Sequence, residues 1–155
     1  MVAYRIADAR HPIFDATGAL QNGGRWNSVG QAVIYATESY AGAMLEVLVH
    51  ANLASPPKNH RVVRITIPVS VKIETLPASA LPGWDAEDLI ASRKFGDRWL
   101  KEMRSPVLRV PSVVTEGREN NIVINPHHPQ FSLIRAGDPE PVLWDVRLFA
   151  AREKR

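Results

Sequence analysis

The chain has 155 residues, 45% of them hydrophobic and 23% charged, with a formal net charge of +3. That length fits one domain with a proper core, and the composition argues against disorder. The mild basicity is spread along the chain rather than gathered into the stripe a nucleic-acid-binding surface needs. Cysteine is absent, which excludes disulfides, thiolate metal sites and a cysteine nucleophile, and suits a reducing compartment.

The start, MVAYRIADARHPIFDATG, lacks the basic-then-apolar pattern of a secretory signal. The longest weakly polar run, Tyr40–Ala54, contains Glu46 and His50 and is too short to span a bilayer. A cytoplasmic protein with no membrane partner is the expectation. Residues 1–155 read as a single domain, with no repeat and no long linker.

In chain order, the pattern predicts a strand at Ala3–Ile6, an irregular segment through Gly30, a strand at Ala32–Ala36 and a helix from Ser39 to Leu53. After the Pro56–Pro57 break come strands at His60–Ile67 and Val71–Leu76, then the proline-marked connector Leu76–Gly83. A helix is expected over Asp85–Met103, with Asp85 as its N-cap. Strands at Val107–Val114, Asn121–Ile124 and Val142–Phe149 follow. Two main helices among strands bunched late in the chain argue for α+β rather than a βαβ repeat. No G-x-G-x-x-G and no P-loop is present.

Several residues carry chemical potential. In Gly23-Gly24-Arg25-Trp26-Asn27, two glycines allow a sharp turn or a close approach. The adjacent arginine can fork onto a phosphate or carboxylate, or pair with a surface acid. Glu46 is the only formal charge between Glu38 and Lys58. At helical spacing it shares a face with Gly42, Val49 and His50, while Ala41, Met44, Leu45 and Leu48 form the expected apolar stripe. A carboxylate in such surroundings is either a helix-edge group reaching solvent or an ion pair, or it is held for a reacting cation. Tyr35 fits a core strand position, and Ser112, after Pro111, a turn or strand edge without a nucleophile elbow. His127-His128 has no helical ligand partner, so no metal is expected.

Together these segments resemble the RES domain, the toxin half of a bacterial toxin–antitoxin system named for an arginine, a glutamate and a serine. The resemblance runs through GGRWN (Arg25), VIYAT (Tyr35), MLEVLVH (Glu46), PVLRVPSVV (Ser112) and NIVINPHHPQF (Asn125), and covers nearly the whole chain. Ser28-Val29-Gly30 departs from the family, where many members carry proline after the asparagine; this touches loop stiffness rather than chemistry.

The resemblance implies an ADP-ribosyltransferase-like fold, with a split, bent β-core and flanking helices. It implies NAD+ as substrate, cleaved at the nicotinamide–ribose bond by hydrolysis or phosphorolysis. The alternatives are transfer of ADP-ribose to a specific protein and, less in keeping with the residues, a non-enzymatic nucleotide- or nucleic-acid-binding module. Glu46, Arg25 and Tyr35 are the expected catalytic residues, and Arg5, Arg25, Tyr35, Ser112 and Asn125 the expected substrate contacts. The implied partner is an antitoxin with a helix-turn-helix part, through which alone DNA would be met.

Overall fold

The computed structural model describes residues 1–51 and 54–149. Within them the elements run β1 (Val2–Asp8), α1 (Thr17–Asn22), β2 (Ile34–Thr37), α2 (Tyr40–Ala51), β3 (His60–Thr66), β4 (Ile73–Thr75), α3 (Ile90–Lys101), β5 (Val107–Pro111), β6 (Asn120–Ile124), β7 (Arg135–Ala136) and β8 (Glu140–Pro141). The strands form one connected sheet in the order β4-β5-β6-β2-β1-β3-β7, with β8 also pairing β3. Only β4 and β5 pair in parallel among the described strands. The α+β class read from the sequence holds.

Strand alternation sorts the core into two layers. Ala3, Ile34, Ala36, Val63, Ile65, Val107, Ile122 and Ile124 make one buried cluster. Val33, Leu108, Val110 and Val123 face the other way and pack with Trp26, Trp84 and Trp99. Burying each large apolar side chain contributes roughly 1.5–3 kcal/mol, so the sheet is held from both sides. No helix among the described residues is long and apolar enough to cross a membrane.

Four expectations are corrected. The expected strand Val142–Phe149 is absent: Glu140–Pro141 pairs with β3 and a 3-10 turn follows at Val146–Leu148. Asp145 caps that turn by accepting from the Arg147 N–H at 2.9 Å. The strand starting at Val107 stops at Pro111 rather than Val114, because the chain then turns through Glu116 (φ 54°) and Gly117 (φ 77°). The helix expected from Asp85 starts at Ile90, since Leu89 sits at φ 61° and Asp88 accepts from the Ile90 N–H. The short α1 falls inside the segment expected to be irregular. The expected end of the helix at Asn52–Leu53 lies outside the described residues.

Candidate active site

Glu46 is delivered to the sheet by the start of α2. Ser39 Oγ accepts from the Gly42 N–H at 2.9 Å and donates to Glu119 Oε2 at 3.1 Å, which caps the helix and ties it to the approach to β6. Gly42 lets the helix sit close, since a Cβ there would lie 2.9 Å from Ser39 Oγ and 3.3 Å from Glu119 Oε2. The expected apolar stripe is therefore corrected. The fully buried positions of α2 are Gly42 and Ala43, while Ala41, Leu45 and Val49 are exposed. Small residues permit the approach, and it brings the Glu46 carboxylate to donors on the sheet.

Those donors are specific. Asn121 Nδ2 donates to Glu46 Oε1 at 2.9 Å, and Ser112 Oγ lies 3.5 Å from the same oxygen. The other oxygen, Oε2, faces His50 Nε2 at 3.2 Å, one turn along the helix. Among the described residues, no arginine or lysine lies within ion-pair distance of Glu46. Glu46 and Ser112 are thus brought together as expected. Asn121 was missed, because nothing in a tandem asparagine advertises which strand face it will serve.

Asn120 makes the contrast. It points to the opposite face, where its N–H and Nδ2 both donate to Glu38 Oε1 at 2.9 Å. Arg109 donates twice to Glu38 Oε2, at 2.9 and 2.6 Å. Burial works to raise the Glu38 carboxyl, but the Arg109 and Asn120 donors outweigh it and hold the group below its ordinary value. One carboxylate is closed by a guanidinium; the other is left with neutral donors and an exposed histidine.

The GGRWN loop is clamped by one face of α3. Arg93 Nε donates to the Gly24 carbonyl at 2.8 Å, and Asp97 accepts from Ser28 N at 2.9 Å and from Ser28 Oγ at 2.5 Å. Between them Gly96 lies so close that a Cβ would stand 1.8 Å from the Trp26 carbonyl oxygen. These three positions share a helix face by their i, i+3, i+4 spacing. From beneath, the Tyr35 hydroxyl donates to Asn27 Oδ1 at 2.6 Å and accepts from the Trp26 N–H at 3.0 Å. Burial pushes the Tyr35 phenol upward, above its ordinary range, so the group stays a neutral donor.

Arg25 emerges from this clamped loop. Its Nη1 donates to the carbonyls of Trp84 at 3.0 Å and Ala86 at 2.9 Å. Those carbonyls are available because residues 84–86 are not part of α3. Among the described residues neither Nε nor Nη2 of Arg25 makes a hydrogen bond. No direct contact joins Arg25 to Glu46, but the sheet relates them. Tyr35 and Val123 pair across β2 and β6, and Thr37 and Asn121 form the next row on the same face. The GGRWN loop covers the first row and Glu46 meets the second.

Two expected contacts lie elsewhere. Arg5 shares a strand face with Ala3 and Ala7, opposite the face of Tyr4, Tyr35 and Asn121. Its Nε donates to the Ile13 carbonyl at 2.6 Å and its Nη1 to the Tyr35 carbonyl at 2.8 Å. Burial lowers its guanidinium from the ordinary value and Asp15 opposes that shift. Asn125 sits at the other end of β6 from Asn121, 2% exposed, accepting from the His127 N–H and approaching Met103 Sδ. Neither side chain contacts Glu46 or Arg25: Arg5 answers two main-chain carbonyls, and Asn125 the His127 N–H and the Met103 thioether. The Tyr35 hydroxyl is likewise taken up by the GGRWN loop. Among the described residues no cluster of three or more His, Asp or Glu side chains could hold a metal.

Residues 2–145 match the RES domain. The Prs ADP-ribosylating toxin of Sphingobium sp. (strain YBL2) is 42% identical over 153 residues, 94% of each chain. Toxin Res of Pseudomonas putida (strain KT2440) is 38% identical, covering 96% of this chain and 100% of the relative. A chain from the crystal structure of the M. tuberculosis MbcT–MbcA toxin–antitoxin complex shares the fold, with a TM-score of 0.71 at 20% identity over 90% of this chain and 82% of that one. The chain belongs to the RES-domain family, the family of these toxins.

Proposed function

We propose that this RES-family toxin binds NAD+ and breaks its nicotinamide–ribose bond, lowering cellular NAD+ when unrestrained. The observation that carries the reading is the Glu46 carboxylate, held by Asn121 and Ser112 with no arginine or lysine partner among the described residues. As that bond breaks, positive charge develops on the ribose, much as in glycoside cleavage. Nicotinamide leaves neutral, so the site needs no strong general acid. It needs negative charge beside the anomeric carbon and an anchor for the pyrophosphate. Glu46 supplies the first, and Arg25, through its Nε and Nη2, supplies the second. Tyr35 positions Arg25 by fixing the loop, and Ser112 helps hold Glu46. In hydrolysis water adds to the anomeric carbon and loses a proton; in phosphorolysis a phosphate oxygen adds instead.

A second reading is supported by the name of the Sphingobium relative: the same oxocarbenium intermediate is captured by a side chain of a target protein, which becomes ADP-ribosylated. On either reading, an antitoxin restrains the enzyme, and its helix-turn-helix part is the only link to DNA. The protein works in the cytoplasm, where its NAD+ lies.

Incubating the purified protein with NAD+ and measuring free nicotinamide tests the main reading, with Glu46→Gln as the control. Glu46→Gln keeps shape and removes charge, so nicotinamide release should fall by about 100-fold or more. Wild-type-like release by Glu46→Gln would sink the assignment. Mass spectrometry of cell protein after induction separates free ADP-ribose from protein modification.

A further inference from the structure

We propose that Asn121 is a positioning residue that decides which oxygen of Glu46 meets the substrate. The inference rests on the reading of Glu46 just given and adds a residue to it. Both sheet-side groups that reach Glu46 converge on one atom: Asn121 Nδ2 at 2.9 Å and Ser112 Oγ at 3.5 Å, each to Oε1. Oε2 receives nothing from the sheet. Its neighbour is His50 Nε2 at 3.2 Å, on a side chain 76% exposed and able to swing aside.

The carboxylate is therefore pinned through Oε1, and Oε2 is the oxygen offered to a ribose hydroxyl or to the developing cation. Asn121 itself is fixed by β-sheet register, paired with Thr37 on β2 and Val110 on β5. A strand residue held from two sides has little freedom, so its amide is a rigid donor. A neutral amide also suits the task. It orients the carboxylate without cancelling its charge, whereas Arg109 neutralises Glu38 on the other face.

Loss of this donor leaves Glu46 free to rotate. Arg25, the pyrophosphate anchor of that reading, makes no hydrogen bond to Asn121, so KM for NAD+ should hold within about twofold while kcat falls roughly 10- to 100-fold. Asn121→Asp gives a sharper test. The new side chain has the same shape but donates only while protonated. Two carboxyls at this distance share one proton at lower pH and repel each other once both ionise.

The experiment measures nicotinamide release by wild type, Asn121→Ala and Asn121→Asp from about pH 5.5 to about pH 8.5, where an ionisation of the coupled pair is expected. Thermal melts show that each variant is folded, and Asn121→Asp carries the test if Asn121→Ala is not. The expected result is a kcat ratio, Asn121→Asp over wild type, that declines as pH rises, with KM nearly constant. A ratio flat across pH, or a folded Asn121→Ala with wild-type kcat, overturns the inference alone. A wild type that releases no nicotinamide overturns the reading of Glu46 and this inference with it.

Discussion

A Cβ on Gly24 would stand 2.6 Å from the Tyr35 hydroxyl, so glycine and tyrosine fix each other's place. Gly24→Ala must push the ring or the loop aside, and the ring cannot move without breaking its bonds to Asn27 and Trp26. The cost should be about 1–3 kcal/mol, read as a lower Tm. Tyr35→Phe keeps the ring but orphans the buried Asn27 oxygen and the Trp26 N–H, for a similar loss of about 1–3 kcal/mol. A Tyr35→Phe protein as stable as wild type would show that water replaces the hydroxyl.

Gly96→Ala separates tertiary packing from helix propensity. In an exposed helix interior this change stabilises by about 1 kcal/mol. Here the added carbon would meet the Trp26 carbonyl at 1.8 Å, so α3 and the loop must part. The expected outcome is destabilisation of about 3 kcal/mol or more, with NAD+ binding weakened because Arg25 rides on that loop. Urea unfolding that shows a gain in stability would contradict the loop–helix clamp.

Arg25→Lys retains charge yet loses the planar fork. Arg25 bridges two carbonyls through one nitrogen, and in the proposed function its Nε and Nη2 meet the pyrophosphate; a single ammonium cannot reproduce both. Calorimetric titration should show NAD+ affinity reduced about tenfold or more, with a modest drop in Tm. Unchanged affinity would remove Arg25 from the binding role.

The Glu38–Arg109 pair sets an acid limb to stability. The Glu38 carboxyl is held below its ordinary value in the folded protein, so its contribution is fully present above the unfolded value of about 4.3 and is lost as pH falls through the folded one. Glu38→Gln should therefore melt below wild type at neutral pH, and the gap should narrow as pH is lowered toward about 3. A gap independent of pH across that range would mean that the charge of Glu38 contributes nothing.

The sequence by itself determined a great deal here. The charge-poor stretch around Glu46, the paired glycines before Arg25 and the alternation in β3 are local signals, and the α+β class follows from two main helices among strands bunched late in the chain. What the sequence left undecided depends on the partner across the gap. The rotation of α2 was misread because apolar periodicity assumes that large residues face the core. This helix instead buries Gly42 and Ala43, and so turns Glu46 inward and leaves Leu45 out.

Arg5 looked like an anion contact because its charge is visible in sequence. The strand face it occupies, with its bonds to Ile13 and Tyr35, is set by pairing between β1 and β2. Asn120 and Asn121 are indistinguishable as letters. Only the sheet register, followed by the close approach of α2, gives one of them to Glu38 and the other to Glu46, because successive strand residues point to opposite faces.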